Sequence, residues 1–143
     1  MFFGCDALTT APELPATTLA EGCYSRMFES CDALTTAPSI LPATTLVNYC
    51  YSNMFNGCYN LTTAPELPAT TLAKGCYTSM FEYCRKLNYI KAMFTTTPST
   101  TYTSDWVYKV SSWGTFVKNS AATWNETGTY GIPSGWTVQT ASS

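Results

Sequence analysis

The chain nearly repeats itself. Met27-Phe28-Glu29-Ser30-Cys31-Asp32-Ala33-Leu34-Thr35-Thr36-Ala37-Pro38 echoes Met1 to Pro12, returns over Met54 to Pro65 and fades after Met80. Cys5, Cys31, Cys58 and Cys84 mark one column of the repeat. Cys23, Cys50 and Cys76 mark a second, each followed by a tyrosine at Tyr24, Tyr51 and Tyr77. The spacing is about 26 residues. A unit of that length cannot bury its own apolar face, so the units must stack, and this constraint precedes any single residue. One unit is a residue longer, because Pro38-Ser39-Ile40-Leu41-Pro42 stands where Pro12-Glu13-Leu14-Pro15 stands earlier, and a loop is expected to absorb the insertion.

Each unit divides in two. From Leu19 onward, Ala20, Cys23, Tyr24, Met27, Phe28 and Cys31 fall on one half of a helical wheel, with Glu21, Gly22, Ser25, Arg26 and Glu29 on the other. This pattern predicts a helix with one buried face and Thr17 or Thr18 as its N-cap. The rest, Leu8-Thr9-Thr10-Ala11-Pro12-Glu13-Leu14-Pro15, predicts a very short extended segment, because Pro12, Pro38 and Pro65 donate no hydrogen bond to a parallel ladder. Leu8, Leu34, Leu61 and Leu87 should point inward with Ala11, Ala37 and Ala64. Thr10, Thr36 and Thr63 should form an exposed column with strands about 4.8 Å apart. The predicted fold is an α/β repeat solenoid of leucine-rich-repeat type, with short parallel strands on one side, helices on the other and a C-terminal capping region.

The run Cys-Tyr-x-x-Met-Phe-x-x-Cys-x-x-Leu-Thr-Thr, at Cys23 to Thr36 and again at Cys50 to Thr63, resembles the BspA-type (Treponema-type) leucine-rich repeat with its Ala-Phe-x-x-Cys-x-x-Leu core. Met27-Phe28 stands where that family has Ala-Phe, and Pro12 interrupts the usual strand, as in a divergent, longer subclass. The resemblance covers roughly residues 1 to 90. It implies a bacterial surface or secreted protein used for adhesion or binding of host proteins, with no catalytic residues to carry over. Such a protein carries an export signal, and none is visible, so the chain is expected to be the C-terminal portion of a longer array whose first unit begins mid-helix at Met1. That open end is expected to favour end-to-end self-association.

The remaining features narrow the function. With 143 residues, 45% hydrophobic and net charge −2, the chain can bury a core and gives no reason to expect nucleic acid as a partner. Up to Cys84 seven acids face Arg26 and Lys74, whereas beyond it Asp105 and Glu126 face five bases. No apolar run is long enough for membrane insertion. Seven cysteines, with no Cys-x-x-Cys and no histidine, read as buried free thiols rather than as disulfides or a metal site. Catalysis has no histidine, no obvious carboxylate pair and no phosphate loop to rest on, and no cofactor is expected.

Residues 1–90 are thus expected to form the repeat array and 91–143 an aromatic-rich cap holding Trp106, Trp113, Trp124 and Trp136. The tryptophans read as capping core, with a sugar- or peptide-binding patch as the alternative. Strands are expected near Leu87–Phe94 and Gly114–Lys118, a short helix over Ser104–Val110, and a turn followed by another extended piece within Ile132–Gln139. The expected activity is non-catalytic binding of a protein or glycan ligand on the strand face, centred on Thr10, Thr36, Thr63, Tyr89 and Lys91. A structural or receptor-binding part of a phage particle is the alternative, and an ice- or crystal-binding threonine array a third reading.

Overall fold

A computed structural model of the chain describes residues 2–141; Met1, where the sequence reading opens the array, lies outside them. Among the described residues there is no helix, and regular strand is confined to β1 (Tyr89–Ala92), β2 (Thr115–Asn119) and β3 (Thr137–Ala141). The predicted α/β leucine-rich-repeat solenoid, with helices along one side, is therefore not the architecture.

Where helices were expected the chain makes overlapping turns. Over Ala20 to Cys31, the N–H groups of Cys23, Ser25, Met27, Glu29 and Cys31 each donate to the carbonyl three residues back. The alternate ones, Gly22, Tyr24, Arg26, Phe28 and Ser30, donate instead to Asn48, Cys50, Ser52, Met54 and Asn56 of the next coil. The same alternation recurs from Tyr49 to Cys58 and from Gly75 to Cys84, whose outward donors reach carbonyls between Thr101 and Tyr108. An α-helix would spend every N–H on the residue four back. It is also blocked sterically, since φ is positive at every fourth residue: Gly22, Arg26 and Ser30; Tyr49, Asn53 and Gly57; Gly75, Ser79 and Tyr83; then Asp105 and Lys109. The expected helix over Ser104–Val110 is replaced by the same device.

The four-residue period explains the misleading apolar pattern. Tyr24 and Phe28 occupy one inward position, Met27 and Cys31 the adjacent one, and together they reproduce the i, i+3, i+4, i+7 spacing of a helix. Stacking then builds single-type columns. Phe2, Phe28, Phe55 and Phe81 stack nearly parallel with centroids 5.4, 5.4 and 5.7 Å apart, and Tyr24, Tyr51 and Tyr77 follow at 6.0 and 6.1 Å. Each such pair contributes about 0.5–1.5 kcal/mol beyond burial. Cys31, Cys58 and Cys84 donate their thiols to the carbonyls of Phe2, Phe28 and Phe55 at 2.8, 3.1 and 3.1 Å, so the thiol column both fills space and satisfies backbone acceptors. All seven cysteines are free thiols, with Cys23 exposed.

On the opposite side the extended segments barely pair. Thr10 bridges Thr36, Thr63 bridges Tyr89, Ile40 bridges Glu66 and Leu67 bridges Ala92, all parallel and all isolated. Pro12, Pro38 and Pro65 end each ladder after the threonines, as their missing N–H requires. Leu34, Leu61 and Leu87 are buried beneath, with Ala11, Ala37 and Ala64, while Leu8 is half-buried in the first coil. Lys91 stands where the proline stood, and there the first true strand forms. β1 pairs with β2 and β2 with β3, all parallel, in the order β1-β2-β3. β1 spans residue 90, so the sheet runs across the point at which the sequence repeat ends. Trp106, Trp124 and Trp136 are buried, their indole N–H groups donating to the carbonyls of Gly131, Phe94 and Ser111. Trp113 is 66% exposed.

Candidate functional site on the threonine face

The side chains that sequence pattern assigns to the strand face all lie there, but they do not form one site. Thr36 and Thr63 line a shared groove of about 480 Å³ together with Thr35, Thr62, Glu13 and Ser39. Thr10 lies beside Thr36 through their backbone bridge and Tyr89 beside Thr63 through theirs, both outside the groove lining. Lys91 is two residues beyond Tyr89 and is held by Glu66, with Nζ 3.0 Å from Oε1. At roughly one-third exposure on each side, this pair adds little to stability. Its effect at the site is to neutralise both charges.

The groove owes its shape to the local sequence. Ala37 and Ala64 keep its floor low, and the prolines that follow turn the chain away and leave space between neighbouring coils. Thr36 and Thr63 are exposed, and neither side chain makes a hydrogen bond among the described residues. The Thr35 hydroxyl, in contrast, donates to the Thr9 carbonyl at 3.2 Å, and is thereby fixed.

Glu13 and Ser39 are the residues that sequence reasoning missed. The Ser39 hydroxyl donates to Glu13 Oε1 at 2.6 Å, and the Ser39 N–H donates to Oε1 and Oε2 at 3.1 and 3.0 Å. These bonds, the hydroxyl first and the backbone second, lower the Glu13 pKa, so a carboxylate stands at the groove edge at neutral pH. The Ser39 carbonyl in turn accepts from the Glu66 N–H at 3.0 Å. The signal was present in the sequence as the single inserted residue between Pro38 and Pro42. The insertion does not bulge into solvent as an idle loop; it ties Glu13 of the preceding coil to the groove.

The groove presents hydroxyl groups, threonine methyls and one carboxylate. Among the described residues no group of three or more histidine, cysteine or acidic side chains could hold a metal ion. No helix among the described residues is long and apolar enough to cross a membrane. No family model, curated protein or solved structure matches the chain.

Proposed function

We propose that the protein is a binding module whose threonine-lined groove holds a neutral glycan. The observation that carries this reading is the pairing of unengaged Thr36 and Thr63 hydroxyls with the fixed Glu13 carboxylate along one groove. A sugar ring alternates hydroxyl and C–H faces, and threonine offers a hydroxyl and a methyl from the same carbon. A carboxylate adds a strong acceptor for sugar hydroxyls. Because Lys91 is neutralised by Glu66, Glu13 leaves the face mildly negative, which disfavours acidic sugars in this groove.

A glycan array probed with the purified protein tests the reading. Neutral oligosaccharides are the expected ligands, and Thr36→Lys with Thr63→Lys should weaken binding at least tenfold while leaving the unfolding transition in place, because both side chains are exposed. Unchanged binding by the double variant refutes the groove as the site.

A further inference from the structure

A second cavity lies at the other end of the molecule and has the opposite electrostatic character. It measures about 180 Å³ and is lined by Lys109, Ser111, Ser112, Thr129 and Ser134 against an apolar wall that includes Val110. We propose that this cavity binds an oxyanion: the carboxylate, sulfate or phosphate group of a ligand.

Three observations carry the proposal. The lining includes one lysine, four hydroxyl-bearing residues and no carboxylate. The cation is uncompensated: the two ion pairs among the described residues are Arg26–Glu29 and Lys91–Glu66, and Lys109 belongs to neither. Its ammonium lies 5.5 Å from the Tyr108 ring centroid, which restrains the stem without neutralising the charge.

The second observation is rigidity. The 126–132 loop that supplies Thr129 is closed by Gly128 N–H to the Ile132 carbonyl and Ile132 N–H to the Glu126 carbonyl, both 2.9 Å. Thr103 Oγ1 and Trp106 Nε1 donate to the carbonyls of Tyr130 and Gly131 at 2.6 and 2.9 Å from the core side. A Cβ at Gly131 would clash with the Glu126 carbonyl oxygen, so glycine is required for the loop to close. A preformed wall loses little entropy when a ligand enters.

The third is the charge gradient along the stack. At the position following the first cysteine column the residues run Asp6, Asp32, Tyr59, Arg85. The Arg85 guanidinium lies 5.6 Å from the Tyr59 ring and 5.8 Å from Tyr83, and Tyr83 meets Tyr108 edge-on at 5.6 Å. Arg85 and Lys109 are thus linked through the contacting Tyr83 and Tyr108 rings, and two cations on this part of the stack favour the approach of an anion.

The test is titration of the whole protein with sulfate, phosphate and acetate at constant ionic strength, followed by backbone amide NMR. Saturable shifts at Ser111, Ser112 and Thr129 are expected for at least one anion, and the ranking of the three identifies the preferred group. Lys109→Met should weaken that binding at least tenfold and Lys109→Arg by less than threefold. Lys86→Met, an exposed lysine outside the lining, should leave it unchanged. Absence of saturable shifts for all three anions, wild-type binding by Lys109→Met, or an equal loss in Lys86→Met, which would mean bulk charge, each overturns the proposal.

Discussion

In the coils up to Leu87 the aromatic core positions are columns of one residue type, phenylalanine on phenylalanine and tyrosine on tyrosine, with rings within 13° of parallel. From Tyr89 onward the columns end. Trp106 receives both, stacking on Tyr77 at 18° and meeting Phe81 at 52°; Phe94 and Phe116 meet it at 65° and 79°, and Trp124 packs on those two rings. The backbone device, however, does not change at that point: Gly75, Tyr77, Ser79, Phe81 and Tyr83 donate to the non-repeating coil as the earlier coils donate to one another. Coil-to-coil hydrogen bonding therefore does not require sequence identity. What the repeat supplies is register, because identical side chains fit their own copies one coil away. Conversely, regular strand appears only from Tyr89 onward, where Lys91 replaces the proline that stops each earlier ladder.

Alkaline titration should separate the two regions most sharply, since every cysteine lies at or before Cys84. Burial raises the thiol of Cys50 to about 11 and those of Cys58 and Cys76 to about 12, and pushes Cys84 well above its ordinary value. In the unfolded chain these thiols ionise near about 8.5. A raised acid pKa means the folded state retains protons that the unfolded state releases, so stability is intact below about pH 8.5 and falls as pH rises toward 11–12. Cys50, Cys58 and Cys76 each contribute a loss of about 1.4 kcal/mol per pH unit in that window, and Cys84 acts in the same direction, so the stack should lose stability steadily above about pH 8.5. All four tryptophans lie in the other region, so tryptophan fluorescence that lags behind circular dichroism would show the regions uncoupling, and coincident curves one cooperative unit. A flat stability profile between pH 8.5 and 10.5 contradicts the buried thiol column.

A smaller effect tests the junction. Trp106→Ala removes a fully buried ring shared by both columns and the hydrogen bond to the Gly131 carbonyl, and should cost about 3–5 kcal/mol. Trp113→Ala, at an exposed position, should stay within about 0.5 kcal/mol of wild type. Urea unfolding of the two variants measures both. Equal costs would mean that Trp106 is not the element joining the two regions.

Parts of this architecture were legible in the sequence and parts were not, for identifiable reasons. The Leu-Thr-Thr-Ala register was readable because proline and threonine constrain a short extended segment whichever elements flank it. All four tryptophans were expected in the capping core; Trp106, Trp124 and Trp136 are buried there, but Trp113 is 66% exposed, so size alone does not decide burial. The helix was misread because positions such as Cys23, Tyr24, Met27, Phe28 and Cys31 satisfy a 3.6-residue and a 4-residue period equally over three turns. The discriminating signal was glycine: Gly22, Gly57 and Gly75 all occupy the every-fourth position, where a helix interior would be penalised by about 0.5–1 kcal/mol each. At the groove, Thr36 and Thr63 were readable as an exposed column. Glu13 and Ser39 were not, because their contact joins side chains 26 residues apart and depends on the extra residue of one coil.

The turn ladder itself is best tested by a change whose sign differs between the two readings. Ser79 has φ of +53°, its side chain makes no hydrogen bond among the described residues, and its N–H donates to the Ser104 carbonyl at 2.8 Å, a bond that glycine retains. In a helix, Ser79→Gly would destabilise by about 0.5 kcal/mol. At positive φ a residue with a Cβ carries about 1–2 kcal/mol of strain that glycine relieves, against about 0.5–1 kcal/mol of added chain entropy in the unfolded state. The net expectation is a gain of up to about 1 kcal/mol. Thr78→Gly, one residue earlier and outside the positive-φ set, gains no such relief and should lose about 1 kcal/mol. Opposite signs at adjacent positions, read from urea midpoints, are a signature that a helix cannot produce; losses at both would return these coils to a helical reading.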